Sequence, residues 1–128
     1  FTLPGVPCVY YGDEAGLSGG EDPFNRACFP WGHENKKLLE HYKTLGRIRK
    51  LCPAFVDGEF NCISAVLGCI AYERISDTGC ALIIANANDR DIEYRVPECW
   101  RNAPALFGKA AYGRSVSVGA HSAVILHR

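Results

Sequence analysis

The chain has 128 residues, with 14 basic and 14 acidic side chains and a formal net charge of zero. This length allows one ordinary domain, or part of one joined to a small second domain. The balanced charge argues against a polyanionic partner, no apolar run is long enough to span a membrane, and no signal-peptide pattern opens the chain. We therefore expect neither nucleic acid nor a membrane among its partners.

The first predicted element is a buried strand over residues 6–11, a short run of β-branched and aromatic side chains. It ends at Gly12, a residue that permits a sharp turn or a close backbone approach. Asp13 and Glu14 follow directly. A polar loop and a helix come next, and this order is typical of an α/β unit, in which functional residues lie at the carboxyl end of the strand.

The loop over residues 12–33 is unusually long for a connection inside a compact domain. Loops of this length are usually either functional or disordered. The aromatic residues Phe24, Phe29 and Trp31 argue against disorder. Trp31 could offer a stacking face to a ligand ring, or it could form the core of the loop.

A helix is predicted over residues 34–51. Apolar side chains recur there at helical spacing and form one stripe, namely Leu38, Leu39, Tyr42, Leu45 and Ile48. Glu34 in the first turn and the basic residues of the last turn suit the helix dipole. Pro53 ends the helix.

Short β-rich runs alternate with turn signals after Pro53, which predicts an all-β sandwich. The candidate strands cover residues 58–61, 64–67, 69–75, 80–86, 91–96, 105–107, 115–118 and 122–127. In the run 91–96, Ile92 and Tyr94 alternate with charged residues, which is typical of a strand with one face in water.

The seven cysteines are an odd number, so they cannot all pair within the chain. They show no C-x-x-C pair, and neither they nor the four histidines have the spacing of metal ligands. Cys8, Cys69 and Cys80 sit among apolar neighbours, which favours buried free thiols that act as small hydrophobic side chains. Free thiols favour a reducing compartment, and we expect a cytoplasmic location.

Several motifs in order resemble one enzyme family. G-V-P-C-V-Y-Y-G-D-E at residues 5–14 is followed by G-G-x-D-P-x-N-R at 19–26, F-P-W at 29–31 and P-A-F-x-x-G-E-F at 53–60. This series resembles the eighth strand, the following loop and the last helix of the α-amylase family of glycoside hydrolases, closest to its neopullulanase and cyclomaltodextrinase branch. The second half resembles the β-sandwich that follows the catalytic barrel.

The resemblance implies a fold and a division into domains. Residues 1–53 would be the end of a catalytic (β/α)8 barrel, and residues 54–128 an antiparallel, non-catalytic β-sandwich, so the chain would be mostly β. The chain opens without a methionine, and we interpret it as a carboxy-terminal fragment of a longer protein. A barrel strand without its neighbours exposes unpaired backbone groups, so self-association of the fragment through residues 6–11 is expected.

The three catalytic carboxylates of the resembled family come from earlier strands, and none of their motifs is present here. We therefore expect no catalytic residue, no metal site and no cofactor in this chain. Asp13 and Glu14 are adjacent, so on an extended strand they would point to opposite faces. That placement suits a supporting role better than the paired carboxyl groups of a retaining glycosidase.

Asp22 and Arg26 are the candidate substrate-binding residues. Their spacing could place them on one side of a helical turn, and their side chains can hydrogen-bond vicinal sugar hydroxyls. An Asp and an Arg at this spacing bind glucose units on the non-reducing side of the cleavage point in the resembled family. The alternative is an ion pair that only folds the loop, and both roles can hold together.

Two classes of function remain open. The first is a part of a retaining α-glucan hydrolase or transglycosylase, with an α-glucan oligosaccharide as the partner of the parent enzyme. The second is a carbohydrate-binding or structural β-sandwich module without chemistry of its own. The D-P-x-N-R loop at residues 22–26 favours the first class, because a self-contained module needs no active-site loop of another fold.

Overall fold

The computed structural model describes all 128 residues, and contacts within the chain group them into two compact units. The first unit contains Phe1 and Val6–Arg47, and the second contains Thr2–Gly5 and Ile48–Arg128. The predicted division at residue 53 concerns which segments belong to which domain of a larger enzyme. The contacts within this chain do not assign its segments to those domains, so the division at residue 53 stays a prediction.

The chain has two α-helices and seven β-strands, so it is mostly β, as predicted. The helices are α1 (Lys36–Leu51) and α2 (Ala54–Asp57). The strands are β1 (Glu59–Val66), β2 (Cys69–Ser76), β3 (Gly79–Asn86), β4 (Ile92–Arg95), β5 (Ala105–Phe107), β6 (Ser115–Val118) and β7 (Ser122–His127). Short 3₁₀ helices cover Asp13–Ala15, Phe24–Arg26 and Glu98–Trp100.

The predicted strand over residues 6–11 is wrong for this chain. No segment pairs with these residues, and the side chains of Val6 and Tyr10 are 92% and 77% exposed. A strand is stabilised by hydrogen bonds to its neighbours, and the chain offers no neighbouring strand here. The barrel unit is therefore not confirmed, and self-association through this segment stays a prediction.

Gly12 makes both the turn and the close approach that its position predicts. Its φ angle is 83°, and it precedes the 3₁₀ helix Asp13–Ala15. The Leu17 backbone N–H donates to the Gly12 carbonyl at 2.9 Å. A Cβ atom on Gly12 would lie 2.7 Å from the Leu17 Cβ, so a larger residue would force the loop apart.

Helix α1 is confirmed, with its start two residues later than predicted. Asn35 explains the start, because its side-chain oxygen accepts the Leu38 backbone N–H at 3.2 Å, as an N-cap residue does. Glu34 lies just before the helix, and its carboxylate accepts the Gly32 N–H at 3.1 Å. The pKa of Glu34 is lowered mainly because its carboxylate accepts hydrogen bonds from backbone N–H groups.

The strands form two antiparallel sheets. The larger has five strands in the order β1-β2-β3-β7-β5, and β4 and β6 form the smaller. The predicted strands 58–61 and 64–67 are one strand, β1, whose register against β2 shifts between Cys62 and Ser64. Such a bulge interrupts the alternation of side chains, which is why the sequence pattern shows two shorter strands.

Strand β3 is covered on both faces, which explains its continuous apolar sequence. Leu82 and Ile84 lie in a core with residues of the smaller sheet, including Val116, so the two sheets face each other as in a sandwich. Ala81 and Ile83 lie in a second core on the other face, which also contains Ile48, Cys52, Ala54 and Phe55. Burial of one such large side chain stabilises the fold by about 1.5–3 kcal/mol.

A buried asparagine ties together the ends of several strands. Asn86 is 2% exposed, and its Nδ2 donates to the carbonyls of Arg90 at 2.8 Å and Gly119 at 2.9 Å. Its Oδ1 accepts the backbone N–H of Asn88 at 3.0 Å. The turn after β3 is therefore held to the segment before β7 by side-chain bonds, which a buried polar group needs.

Candidate functional site

Asp22 and Arg26 form a two-point ion pair in the long loop. The Arg26 Nε lies 2.8 Å from one Asp22 oxygen, and Nη2 donates to the other at 2.8 Å. The 3₁₀ helix Phe24–Arg26 brings the two side chains to the same side, as their spacing predicts. Two parallel bonds orient both groups more firmly than a single contact does.

The pair faces solvent. The side chains of Asp22 and Arg26 are 58% and 74% exposed. An exposed pair of this kind stabilises a fold by roughly 0–1 kcal/mol, so the loop gains little from it beyond a fixed geometry. The guanidinium keeps unused N–H donors and the carboxylate keeps unused lone pairs, so each group can make further hydrogen bonds.

Aromatic rings cluster in the same loop. Phe29 and Trp31 have ring centroids 4.6 Å apart, and Tyr11 meets Phe29 edge-on at 6.2 Å. Trp31 is 79% exposed and does not form the core of the loop in this chain. An exposed indole offers an apolar face on which a sugar ring can stack. The contact of Tyr11 with Phe29 could not be predicted from the sequence, because Tyr11 precedes the loop and lies far from Phe29 along the chain.

Asp13 and Glu14 lie on a 3₁₀ turn rather than at the end of a strand. One Asp13 carboxylate oxygen accepts the Tyr10 backbone N–H at 3.2 Å, which closes the turn before Gly12. This contact is the kind that a supporting role requires. The argument from opposite strand faces does not apply, since the backbone there is not extended.

The interpretation of the cysteines as buried thiols needs correction. All seven are free, but Cys8, Cys28, Cys62 and Cys99 are exposed. Cys8 is exposed because the segment around it is not a buried strand. Cys52 is buried, and this burial raises the pKa of its thiol. A reducing compartment stays a prediction.

No group of three or more His, Cys, Asp or Glu side chains is placed to hold a metal ion. Neither helix of the chain combines the length and the apolar character needed to cross a membrane. His121 pairs with Asp89 at 2.7 Å on the surface.

No family model matches the chain. Individual relatives do. The chain is 35% identical over 99 residues to a maltogenic alpha-amylase of Bacillus acidopullulyticus, a match that covers 73% of this chain and 17% of the relative. It is 40% identical over 94 residues to a cyclomaltodextrinase of a Bacillus species, covering 70% of this chain and 17% of that enzyme.

Solved structures agree with the sequence relatives. The debranching enzyme of Nostoc punctiforme matches 99% of this chain with a TM-score of 0.86 at 29% sequence identity. The chain belongs to the α-amylase family of glycoside hydrolases. It spans 17% of the length of the first relatives and 29% of the debranching-enzyme chain, so it corresponds to one part of such an enzyme.

Proposed function

We propose that this chain is the carboxy-terminal part of a retaining glycoside hydrolase that cleaves α-glucosidic bonds in starch-derived oligosaccharides. The observation that carries the proposal is the 35–40% identity to a maltogenic alpha-amylase and a cyclomaltodextrinase over most of this chain. These names describe enzymes that act on α-glucans. In the parent enzyme, the chain would supply a substrate-binding loop and the non-catalytic β-sandwich.

Asp22 and Arg26 are proposed to bind glucose units on the non-reducing side of the cleaved bond. Their mutual ion pair supports this role, because it holds two hydrogen-bonding groups in one exposed geometry before the sugar arrives. Preorganised groups lose less conformational entropy on binding. Folding of the loop and contact with the sugar are compatible, since each group has bonding capacity beyond the pair.

The alternative proposal is a carbohydrate-binding or structural β-sandwich without chemistry. The second unit favours it in one respect, because its larger sheet has a hydrophobic core on each face. A unit with its own core can fold without a catalytic neighbour. The two proposals differ in the loop: only an enzyme part needs residues 22 and 26 for turnover of long substrates.

The isolated chain is expected to be inactive, because the carboxylates that do the chemistry in the resembled family lie on earlier strands. The purified chain is incubated with maltooligosaccharides, pullulan and cyclodextrins, and reducing ends are measured. Turnover that follows the protein through a further purification step would refute the inactivity and place catalytic groups in this chain.

The binding role is tested in a full-length enzyme that carries this segment. Arg26→Ala and Asp22→Ala are expected to lower kcat/KM for long oligosaccharides by roughly ten- to a hundredfold, because a lost hydrogen bond to a charged group costs about 1.5–3 kcal/mol. The loss should grow with the number of glucose units on the non-reducing side. Glu21→Ala is the matched control, an exposed carboxylate in the same loop.

The outcomes separate the roles of the pair. A loss that depends on chain length, with an unchanged melting temperature and a normal Glu21→Ala variant, supports sugar binding. Equal activity of all variants on every chain length would leave the pair as a loop clamp only. Loss of folding in both variants would assign them to the scaffold.

A further inference from the structure

We propose that a cleft in the second unit binds a phosphate group through Arg95, Arg101 and Arg114. The cleft has a volume of about 490 Å³ and is lined by these three arginines together with residues that include Tyr94 and Glu98. Small-molecule sites in proteins typically measure about 300–1,000 Å³. The cleft belongs to the β-sheet unit and contains neither Asp22 nor Arg26.

The fold brings together arginines that are distant in sequence. Strands β4 and β6 pair with Arg95 opposite Ser115, so Arg114 lies beside the end of β4. The Val96 backbone N–H donates to the Arg114 carbonyl at 3.0 Å, which fixes this junction. The 3₁₀ helix that follows β4 then places Arg101 at the same cleft.

The backbone at Arg101 is held in place by the buried side chain of the preceding residue, Trp100. Trp100 is 1% exposed, and its indole Nε1 donates to a Glu73 oxygen at 2.6 Å. A large buried ring with a satisfied N–H leaves little freedom to the adjoining backbone. The backbone position of Arg101 is therefore set by the core, so only its side chain has to adjust to a ligand.

The cleft has a surplus of positive charge. The lining residues include three arginines and one carboxylate, Glu98, which gives a formal charge of +2 (three minus one). Glu98 pairs with the Arg101 Nη1 at 3.1 Å. The guanidinium groups of Arg95 and Arg114 make no ion pair or hydrogen bond within the chain. An anion in the cleft would give each of them a partner.

Arg101 has one donor that lacks an acceptor. Its Nε–H is shielded from water and has no hydrogen-bond partner, although buried donors in proteins are nearly always paired. Nη1 is used by Glu98, so Nε lies on the edge of the guanidinium that this ion pair does not occupy. The same edge of Arg26 holds both oxygens of a carboxylate in this chain, which shows the geometry that an oxyanion would adopt.

A phosphate group suits this arrangement better than a planar carboxylate does. Its oxygens point in several directions, and they can accept from guanidinium groups that come from different segments of the chain. The Arg101 side chain is 33% exposed, and we expect it to turn its unpaired Nε toward the ligand on binding. The phosphate could be inorganic or belong to a sugar ester, and both share the chemistry that the arginines recognise.

The test measures binding of inorganic phosphate, glucose 6-phosphate and glucose to this chain at low ionic strength. Isothermal titration gives affinities, and amide chemical shifts locate the site. Arg101→Gln is expected to weaken binding of inorganic phosphate about tenfold or more, the loss that follows from charged hydrogen bonds. Arg114→Gln changes an exposed residue and gives a second weakened variant that keeps the fold.

Two controls separate a site from general charge attraction. Arg90→Gln changes the net charge by the same amount at an exposed position outside the cleft, and it should bind as the wild type does. Glu98→Gln removes the competing carboxylate and should tighten binding severalfold. Thermal melting without phosphate confirms that each variant is folded.

A weakened Arg101→Gln, an unchanged Arg90→Gln and a tighter Glu98→Gln support the site. In that case, tighter binding of glucose 6-phosphate than of phosphate identifies a sugar ester as the ligand, and equal binding identifies the free ion. The proposal is overturned if the wild type binds neither phosphate nor its ester. Equal weakening by Arg101→Gln and Arg90→Gln overturns it too, because binding would then follow net charge alone.

Discussion

Replacement of Arg74 by methionine is expected to destabilise the second unit strongly. Arg74 is 1% exposed, which is rare for a charged residue. Its Nε and Nη2 donate to the Gly58 carbonyl at 3.3 and 2.9 Å, and Nη1 donates to the Thr2 carbonyl at 2.7 Å. One guanidinium therefore joins the segment Thr2–Gly5 to the turn before β1.

The magnitude follows from two opposing effects. Hydrogen bonds from a charged donor are worth about 1.5–3 kcal/mol each, and two carbonyls lose their donors in Arg74→Met. Burial of the guanidinium opposes this gain, and it lowers the pKa of Arg74 below its usual range. We expect a net loss of about 3 kcal/mol in the free energy of unfolding, since each of the two carbonyls left without its donor costs about 1–3 kcal/mol.

The assay is thermal and urea unfolding followed by the fluorescence of the buried Trp100. For a domain of roughly 60–100 residues, the expected loss lowers the melting temperature by about 12–24 °C. Arg74→Lys keeps the charge but not the planar fork of donors, so its melting temperature should lie between those of the wild type and Arg74→Met. Arg90→Met is the control for an exposed arginine.

A wild-type melting temperature in Arg74→Met would refute this reasoning. Apolar residues can replace some buried charges without loss, because the charge no longer has to be removed from water. In that result, the desolvation cost of Arg74 would equal the gain from its contacts. The residue would then contribute specificity rather than stability.

Three further predictions concern single positions. Asn86→Leu leaves the carbonyls at the end of β3 without their donor, and it should cost about 1–3 kcal/mol, measured by urea unfolding; an unchanged midpoint would contradict this. Burial raises the pKa of the Cys52 thiol above its ordinary 9.0 and of the Tyr72 hydroxyl above 10.0. The folded state then holds these protons more tightly than the unfolded state, so their contribution to stability is full below about pH 9 and falls as pH rises further. Cys52→Ala should therefore reduce the decline in melting temperature between pH 9 and 11. Gly12→Ala should distort the turn, since the new Cβ would meet Leu17, and amide hydrogen exchange of residues 12–17 should accelerate while the β-sheets exchange as before.

The β-sheets were largely predictable because their signals are local. Strand β4 alternates apolar and charged residues, and the structure gives it half-buried Ile92 and Tyr94 beside exposed Glu93 and Arg95. Strand β3 is apolar throughout, and the structure covers both of its faces. The ion pair of Asp22 and Arg26 was predictable for the same reason, since residues four apart meet on one turn.

Errors arose where a pattern needs a partner that lies elsewhere. Residues 6–11 have the composition of a buried strand, but composition specifies only a tendency, and a strand forms when another strand accepts its hydrogen bonds. Burial of Cys8 was inferred from that strand and fails with it. The register of β1 was missed because a bulge removes the simple alternation on which the prediction relies.

The sequence by itself determined the family resemblance, the presence and end of helix α1, the β-rich second half and the local pairing of Asp22 with Arg26. These depend on residues close together along the chain, where spacing alone fixes which side chains can meet. The tertiary structure decided which faces of the sheets are covered, how Arg74 reaches the Thr2 carbonyl, and how Arg95, Arg101 and Arg114 come to line one cleft. Those contacts join residues that are far apart in sequence, and their positions follow from strand register and core packing, which no local pattern encodes.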